Sequence, residues 1–240
     1  MTGPDLTLAD ACSSLLATRA EPRYTTGSSI LDSTLGGLAP QKAYLIEAGA
    51  AQLDDLVYRM LVEFTGRHAL TSLVVECGSS FNPYRIAEIA RAHGYSAGFV
   101  LENILIVRPF TAYQLNTLFS ERLPELVSKA DAVVFSHLTH LFRGRDAPLS
   151  DALIILDEAL RELSALRKEK LLVITARIED KVRKTVKAKL ANFADTWLSF
   201  SLRGGAARVK LHKSHEIPPC DVEVPLTQAN QLTLEQFFEG

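Results

Sequence analysis

Apolar positions in this chain switch repeatedly between short continuous runs and stripes spaced by three or four residues, and that switching predicts alternating strands and helices. Residues 43–48 hold the run Tyr44, Leu45 and Ile46, and Gly49 then leads into a helix over 52–65 with Leu53, Leu56, Val57, Met60 and Leu61 at helical steps. The rest of the chain is organised around this strand, turn and helix. Residues 72–77 read as a buried strand, and Pro83 opens a helix over 84–93, with Ile86, Ile89 and Ala90 on one face and Arg85, Glu88 and Arg91 on another. A strand over 103–107 and a helix over 112–127 follow, the helix carrying Leu115, Leu118, Phe119, Leu123 and Leu126. Residues 132–135 form a short strand between Asp131 and Ser136, 150–168 a long helix, and 171–175 another strand.

The two ends follow different patterns. Residues 6–18 make a weakly amphipathic helix, read as an arm, and Ser28 or Ser29 caps a short helix through Leu35 that Gly36 and Gly37 end. Residues 195–202 and 207–212, joined by Arg203, Gly204 and Gly205, read as an antiparallel hairpin, with 221–225 as a third, edge strand. The expectation is an α/β fold with a mainly parallel sheet covered by helices on both faces, plus a C-terminal antiparallel hairpin. An arm of 1–22 and one core of 23–240 account for the chain.

Composition narrows the function classes. The chain has 240 residues, 47% of them hydrophobic and 22% charged, enough for one sizeable core. Its formal net charge of −2 confines any nucleic-acid contact to a local patch. Cys12, Cys77 and Cys220 are three cysteines without paired spacing, which suits a reducing compartment. No apolar run approaches the roughly 18 residues that span a bilayer, and the N-terminus lacks the basic and apolar regions of a signal peptide, so a cytoplasmic protein without membrane contact is expected.

Two segments together carry a family resemblance. TTGSSILDSTLGG (25–37) and SSFNPYRIAEIARAHG (79–94), followed in order by VLENILIV, LPELV and AVVFSHLTHLF, resemble the core of the RecA/RadA recombinase family and its RadA-type paralogs. The resemblance covers about residues 9–225 and implies a RecA-like core of P-loop type. It also implies four chemical positions, and the sequence departs from each. A P-loop, G-x-x-x-x-G-K-[ST], brings backbone N–H groups, a lysine and a hydroxyl to phosphates and magnesium. Here the segment from Gly49 runs GAAQLDDL, with Asp54 in place of glycine, Asp55 in place of lysine and Leu56 in place of the hydroxyl residue. Carboxylates in a first helical turn would complement the helix dipole by about 0.3–1 kcal/mol each and repel a phosphate. The Walker B aspartate falls on Ser136, the carboxylate that positions the attacking water on Gly78, and the sensor glutamine on Arg177. Phosphoryl transfer depends on placing phosphate and metal, so the expectation is a pseudo-ATPase with no catalytic residue and no nucleotide, metal or other cofactor.

Charge patterning supplies candidate surfaces. Residues 177–189, RIEDKVRKTVKAK, hold six basic and two acidic side chains. Ile178, Val182, Val186 and Leu190 recur every fourth residue, so a helix would bury that stripe and present Lys181, Arg183, Lys184, Lys187 and Lys189. By the resemblance this is the second DNA-binding loop, and Arg143 and Arg145 lie where the first begins. The same residues also read as a solvated helix face. Leu8-x-x-Ala11 falls where family members carry a short Phe-x-x-Ala arm that docks on the next subunit, and Phe237 and Phe238 in the acidic tail are a second partner-binding candidate.

Two histidine pairs, His137-x-x-His140 and His212-x-x-His215, lack the companion cysteines of a zinc site and read as packing or surface residues. Cys77 reads as a buried thiol, and Ser79 and Ser80 as helix-capping residues before Pro83. The resulting expectation is a non-catalytic RadA-type paralog, an accessory factor in DNA recombination and repair that forms homo- or hetero-oligomers with a recombinase or another RecA-family paralog. Single-stranded DNA is a further partner, with nucleoid association if it binds. The alternatives are a KaiC-like regulatory or structural module without DNA binding, and an active ATPase with an unorthodox loop.

Overall fold

A computed structural model describes residues 22–143, 148–178, 180, 184–203 and 206–225. Its centre is an eight-stranded sheet in the order β3-β2-β4-β5-β1-β6-β7-β8. The strands are β1 (Ala43–Ala48), β2 (Ser72–Glu76), β3 (Ile104–Val107), β4 (Ala132–Ser136), β5 (Leu171–Arg177), β6 (Thr196–Arg203), β7 (Ala206–Lys213) and β8 (Cys220–Pro225). The first six pair in parallel, and β6-β7 and β7-β8 are antiparallel. The chain is therefore α/β with a mostly parallel sheet and a C-terminal antiparallel hairpin. Every residue of β1, β2 and β4 is buried, which is why these strands read as unbroken apolar runs.

Helices cover both faces. On one lie α1 (Ser29–Leu35), α2 (Ala50–Gly66), α3 (Pro83–Ala92) and α4 (Ala97–Glu102), and their Leu31, Leu53, Met60, Phe64 and Ile86 pack with Ile46, Val74, Val134 and Val173 of the sheet. On the other lie α5 (Ala112–Thr117), α6 (Leu123–Ser128), α7 (Leu149–Leu166) and α8 (Lys184–Phe193), whose Leu115, Leu123, Leu156, Leu163 and Leu190 meet Leu45, Val75, Phe135 and Ile174. Alternate residues of a strand point to opposite faces, so each inner strand feeds both cores.

Several local expectations need correction. The helix over 112–127 is broken into α5, one π-turn at Leu118–Arg122, and α6. Pro124 has no N–H to continue the ladder, and the wider turn places it in the first turn of a new helix. The helix α4, held by the Ser96 hydroxyl accepting from the Phe99 N–H at 3.4 Å, has no counterpart in the sequence reading. The basic segment does not start as a helix at 177: β5 runs through Arg177, Ile178 is 46% exposed, and α8 begins at Lys184. Val186 and Leu190 do form its buried stripe, and the Lys213 ammonium donates to the carbonyls of Ala191, Asn192 and Ala194 at its end.

Caps also differ. Gly36 ends α1 in the left-handed conformation at φ 66°, as its position suggested, whereas the Ser28 side chain makes no capping bond. The cap of α3 is Asn82 rather than Ser79 or Ser80: its side-chain oxygen accepts from the N–H groups of Tyr84 at 3.0 Å and Arg85 at 3.3 Å. Replacing Asn82 with Ala is expected to cost about 1 kcal/mol and to lower the melting temperature by about 2–4 °C. Calorimetric or circular-dichroism melting of the variant beside the native chain checks this.

Candidate functional site

The parallel strands bring four carboxyl ends to one edge of the sheet. Register pairs Ala48 with Arg177 across β1 and β5, and Glu76 with Ser136 across β2 and β4. Ligands of open α/β sheets bind at this edge, so its side chains are the first place to look for chemistry.

At the centre is His137, which directly follows β4 and is fully buried. Its backbone adopts a left-handed conformation at φ 55°, and its N–H donates to the Thr175 hydroxyl at 2.8 Å. The Arg177 Nε–H donates to His137 Nδ1 at 3.0 Å. With Nδ1 accepting, the ring proton sits on Nε2, which donates to Asp54 Oδ1 at 2.6 Å. The Ser80 hydroxyl donates to the same oxygen, also at 2.6 Å. Burial by itself would raise the Asp54 carboxyl, but the hydrogen bonds from His137 and Ser80 and the positive charge of Arg177 outweigh it and hold the group below the usual carboxylate range. The arrangement is a continuous carboxylate, imidazole and guanidinium chain linking α2, β4 and β5. Both ring nitrogens of His137 are engaged, and the Ser80 hydroxyl donates to the Asp54 carboxylate and not to the imidazole.

Glycine is required beside it. A Cβ on Gly78 would lie 2.5 Å from the His137 ring and 2.8 Å from Arg177 Nη2, and that same nitrogen donates to the Gly78 carbonyl at 3.4 Å. The carboxylate that the family resemblance puts at this position therefore has no space. Neighbouring groups are satisfied in turn: the buried Glu76 accepts from the Gly78 N–H at 2.6 Å, and the Tyr58 phenol, pushed up to about 12 chiefly by burial, donates to the Ser80 carbonyl.

The turn before α2 differs in detail from the sequence reading. The helix starts at Ala50, and the Gln52 side chain accepts from the Gly49 N–H at 2.9 Å. Asp54 and Asp55 consequently lie in the second turn, with none of the first-turn acidic residues that a dipole argument needs. Their stabilisation comes from side chains instead: Asp55 accepts from Arg59 Nε at 2.6 Å and lies 3.5 Å from Arg85. Leu56, at the hydroxyl position of the resembled loop, is buried in the core, and Ser136 is buried at the end of β4.

Among the described residues, three of the four basic candidates face a carboxylate. Lys187 lies 3.2 Å from Glu47, which also accepts from the Trp197 indole at 2.9 Å. Lys189 contacts both oxygens of Asp157 at 2.7 and 3.0 Å. Arg143 lies 3.5 Å from Asp180, while Lys184 is exposed. Lys181, Arg183, Arg145, Leu8, Ala11, Phe237 and Phe238 lie outside the described residues. His140, beside Arg177 and Arg143, is held below the ordinary imidazole range, first by burial and then by those two charges. His212 accepts or donates at 2.9 Å with the Ser199 hydroxyl and stacks on Trp197, and the Cys77 thiol is pushed up by burial. Among the described residues no three metal-binding side chains are grouped to hold an ion. The sequence reading missed the role of His137; its only sequence signal is its position directly after an apolar strand.

Removing Asp54 tests this chain. Asp54→Ala leaves the His137 Nε2–H without its acceptor, and the expected loss is about 1.5–3 kcal/mol by urea denaturation. Because the folded carboxyl lies below its unfolded value, its contribution is complete above about pH 4 and disappears as pH falls through the folded value. The variant should therefore have a shallower acid limb in its stability profile. No family model matches the chain, and no curated protein matches it.

Proposed function

We propose that this chain is a non-catalytic relative of the RecA/RadA recombinases that acts as an accessory factor in DNA recombination or repair. The observation that carries the proposal is the Asp54, His137 and Arg177 chain, in which protein side chains occupy the space between the α2 turn and the ends of β4 and β5. A nucleotide phosphate brought there would meet a carboxylate instead of a lysine, and Gly78 leaves no carboxylate to orient a water. The central β1, turn and α2, with β5 between β1 and β4, supports the RecA-like reading of the core. Function then lies in contacts with a recombinase, another paralog and single-stranded DNA.

One observation favours the reading as a KaiC-like interaction module without DNA binding. Lys187 and Lys189 are already paired with Glu47 and Asp157, which lowers the positive charge that the α8 face offers a phosphate backbone. The two readings separate at low salt, where an electrostatic DNA binder associates and a protein-only module does not.

Calorimetric titration with magnesium-ATP is expected to give no saturable binding, and a micromolar Kd would overturn the non-catalytic reading. Fluorescence anisotropy with a single-stranded oligonucleotide is expected to register binding that weakens steeply with added salt. Absence of binding at low salt would leave the interaction module. Unchanged affinity after combined replacement of Lys181, Arg183, Lys184 and Lys187 by Ala would remove the basic segment as its site.

A further inference from the structure

The three C-terminal strands form a ribbon with two unlike faces. Register sets apolar side chains in three cross-strand rows on one face, from Leu198, Leu211 and Cys220 at the amino edge to Leu202, Ala207 and Val224 beside the β6-β7 connection. The opposite face is polar, as in the row Ser199, Lys210 and Asp221. Such alternation belongs to a sheet that buries one side and wets the other.

The apolar side is only partly closed. Among the described helices α1 makes the one substantial contact with this ribbon, on β7, and its seven residues are about 10 Å long. Strands of eight residues run about 26 Å. The end nearest the β6-β7 connection is the less covered one: Leu202 is 39% exposed, and Phe200, Val222 and Val224 are half-buried.

We propose that residues 6–18 of the same chain lie as a helix along this apolar face. They fall outside the described residues, and three observations name them as its occupant. The first is where the chain enters the described fold. Arg23 Nη1 donates to the carbonyls of Leu35 and Gly37, each at 3.0 Å, and Nη2 pairs with Glu216 in the β7-β8 connection, so the arm starts at the amino-edge end of the face. The second is length. A helix over 6–18 spans about 20 Å, and residues 19–22 bridge up to about 13 Å back to Arg23. The third is the stripe. Leu8, Ala11, Cys12, Leu15 and Leu16 share one side of that helix at steps of three and four, while Asp10 and Ser13 fall on the other.

A helix laid on a sheet buries a stripe of this kind. Leu15 and Leu16 would meet the row that holds Cys220, and Leu8 the row that holds Leu202. The C-terminal tail fits less well. It leaves from Pro225 at the far end of the face, and its run from Leu232 to Phe238 makes about 10 Å of helix, under half the length to be covered.

The consequence concerns partners, and it holds whether or not the chain contacts a recombinase or DNA. Leu8 and Ala11, which the family resemblance offers to a neighbouring subunit, are turned onto their own chain. Capture by a neighbour then requires the arm to lift off first, so a docked arm opposes assembly.

The test uses the full chain carrying Cys12→Ala, in which Cys220 reports on the face and the buried Cys77 on the core. Maleimide labelling of Cys220 should be slow, and Leu15→Asp should speed it at least about tenfold while Cys77 stays unlabelled. Leu8→Asp should hasten amide exchange of β8, and Ser13→Asp, on the outer side of the arm, should change neither readout. If Cys77 labels as well, the core itself has opened, and the milder Leu15→Ala decides instead. Labelling and β8 exchange indifferent to the substitutions at Leu8 and Leu15 overturn the docking. Exposure of Cys220 by Phe237→Asp with Phe238→Asp, but not by Leu15→Asp, overturns it in favour of the tail. Protection that is lost on dilution assigns the arm to a second copy and overturns it as well.

Discussion

Burying an imidazole, a carboxylate and part of a guanidinium at the end of a parallel sheet requires that each find a partner there. An unpaired charge in that setting costs several kcal/mol, whereas a matched set can break even or better. His137 meets the requirement by receiving Arg177 on one nitrogen and donating to Asp54 from the other. The rest of the edge adjusts to this choice. Gly78 has no side chain because two groups lie against it, Thr175 holds the His137 backbone, and Ser80 supplies the second donor to Asp54.

The fold gives this chain its rigidity. The strand ends that carry His137, Arg177 and Gly78 leave a sheet buried on both faces, and α2 brings Asp54 in on a helix whose Leu53, Met60 and Phe64 are fully enclosed. Groups mounted on packed elements keep their relative positions, so the hydrogen-bonded chain is held in one arrangement. Beyond β1 the sheet changes character: β7 and β8 run antiparallel, with Arg208 and Asp221 paired on an exposed face. One half of the sheet is closed by helices on both sides and presents its carboxyl edge; the other half is partly solvated.

Much of the architecture was legible because it is local. The buried strands announced themselves as apolar runs, α2 and α7 as three- and four-residue stripes, and the hairpin as alternating segments flanking two glycines. The failures have local physical causes too. Pro124 turned one apparent helix into two through a π-turn that no apolar periodicity reveals. Four-residue spacing from Ile178 continued into a segment that is still strand at Arg177, since periodicity does not record where a ladder ends. Ser79 and Ser80 were plausible caps by composition, but Asn82 stood nearer the helix start and took the role.

At the site the division is sharper. The sequence by itself showed that the segment GAAQLDDL from Gly49 has neither the lysine nor the hydroxyl of a P-loop motif, which spacing along the chain specifies. It put Asp54 in the first turn of the helix, and the structure moves it to the second. Only the tertiary structure decided what Asp54 does there, because its partner His137 is 83 residues away and Arg177 another 40 beyond that. The same holds for Lys187 and Lys189, which looked like free charges until Glu47 and Asp157 were brought against them from distant elements. Spacing along a chain specifies a helix face or a motif, but hydrogen bonds and ion pairs act over a few ångströms, and only folding sets those distances.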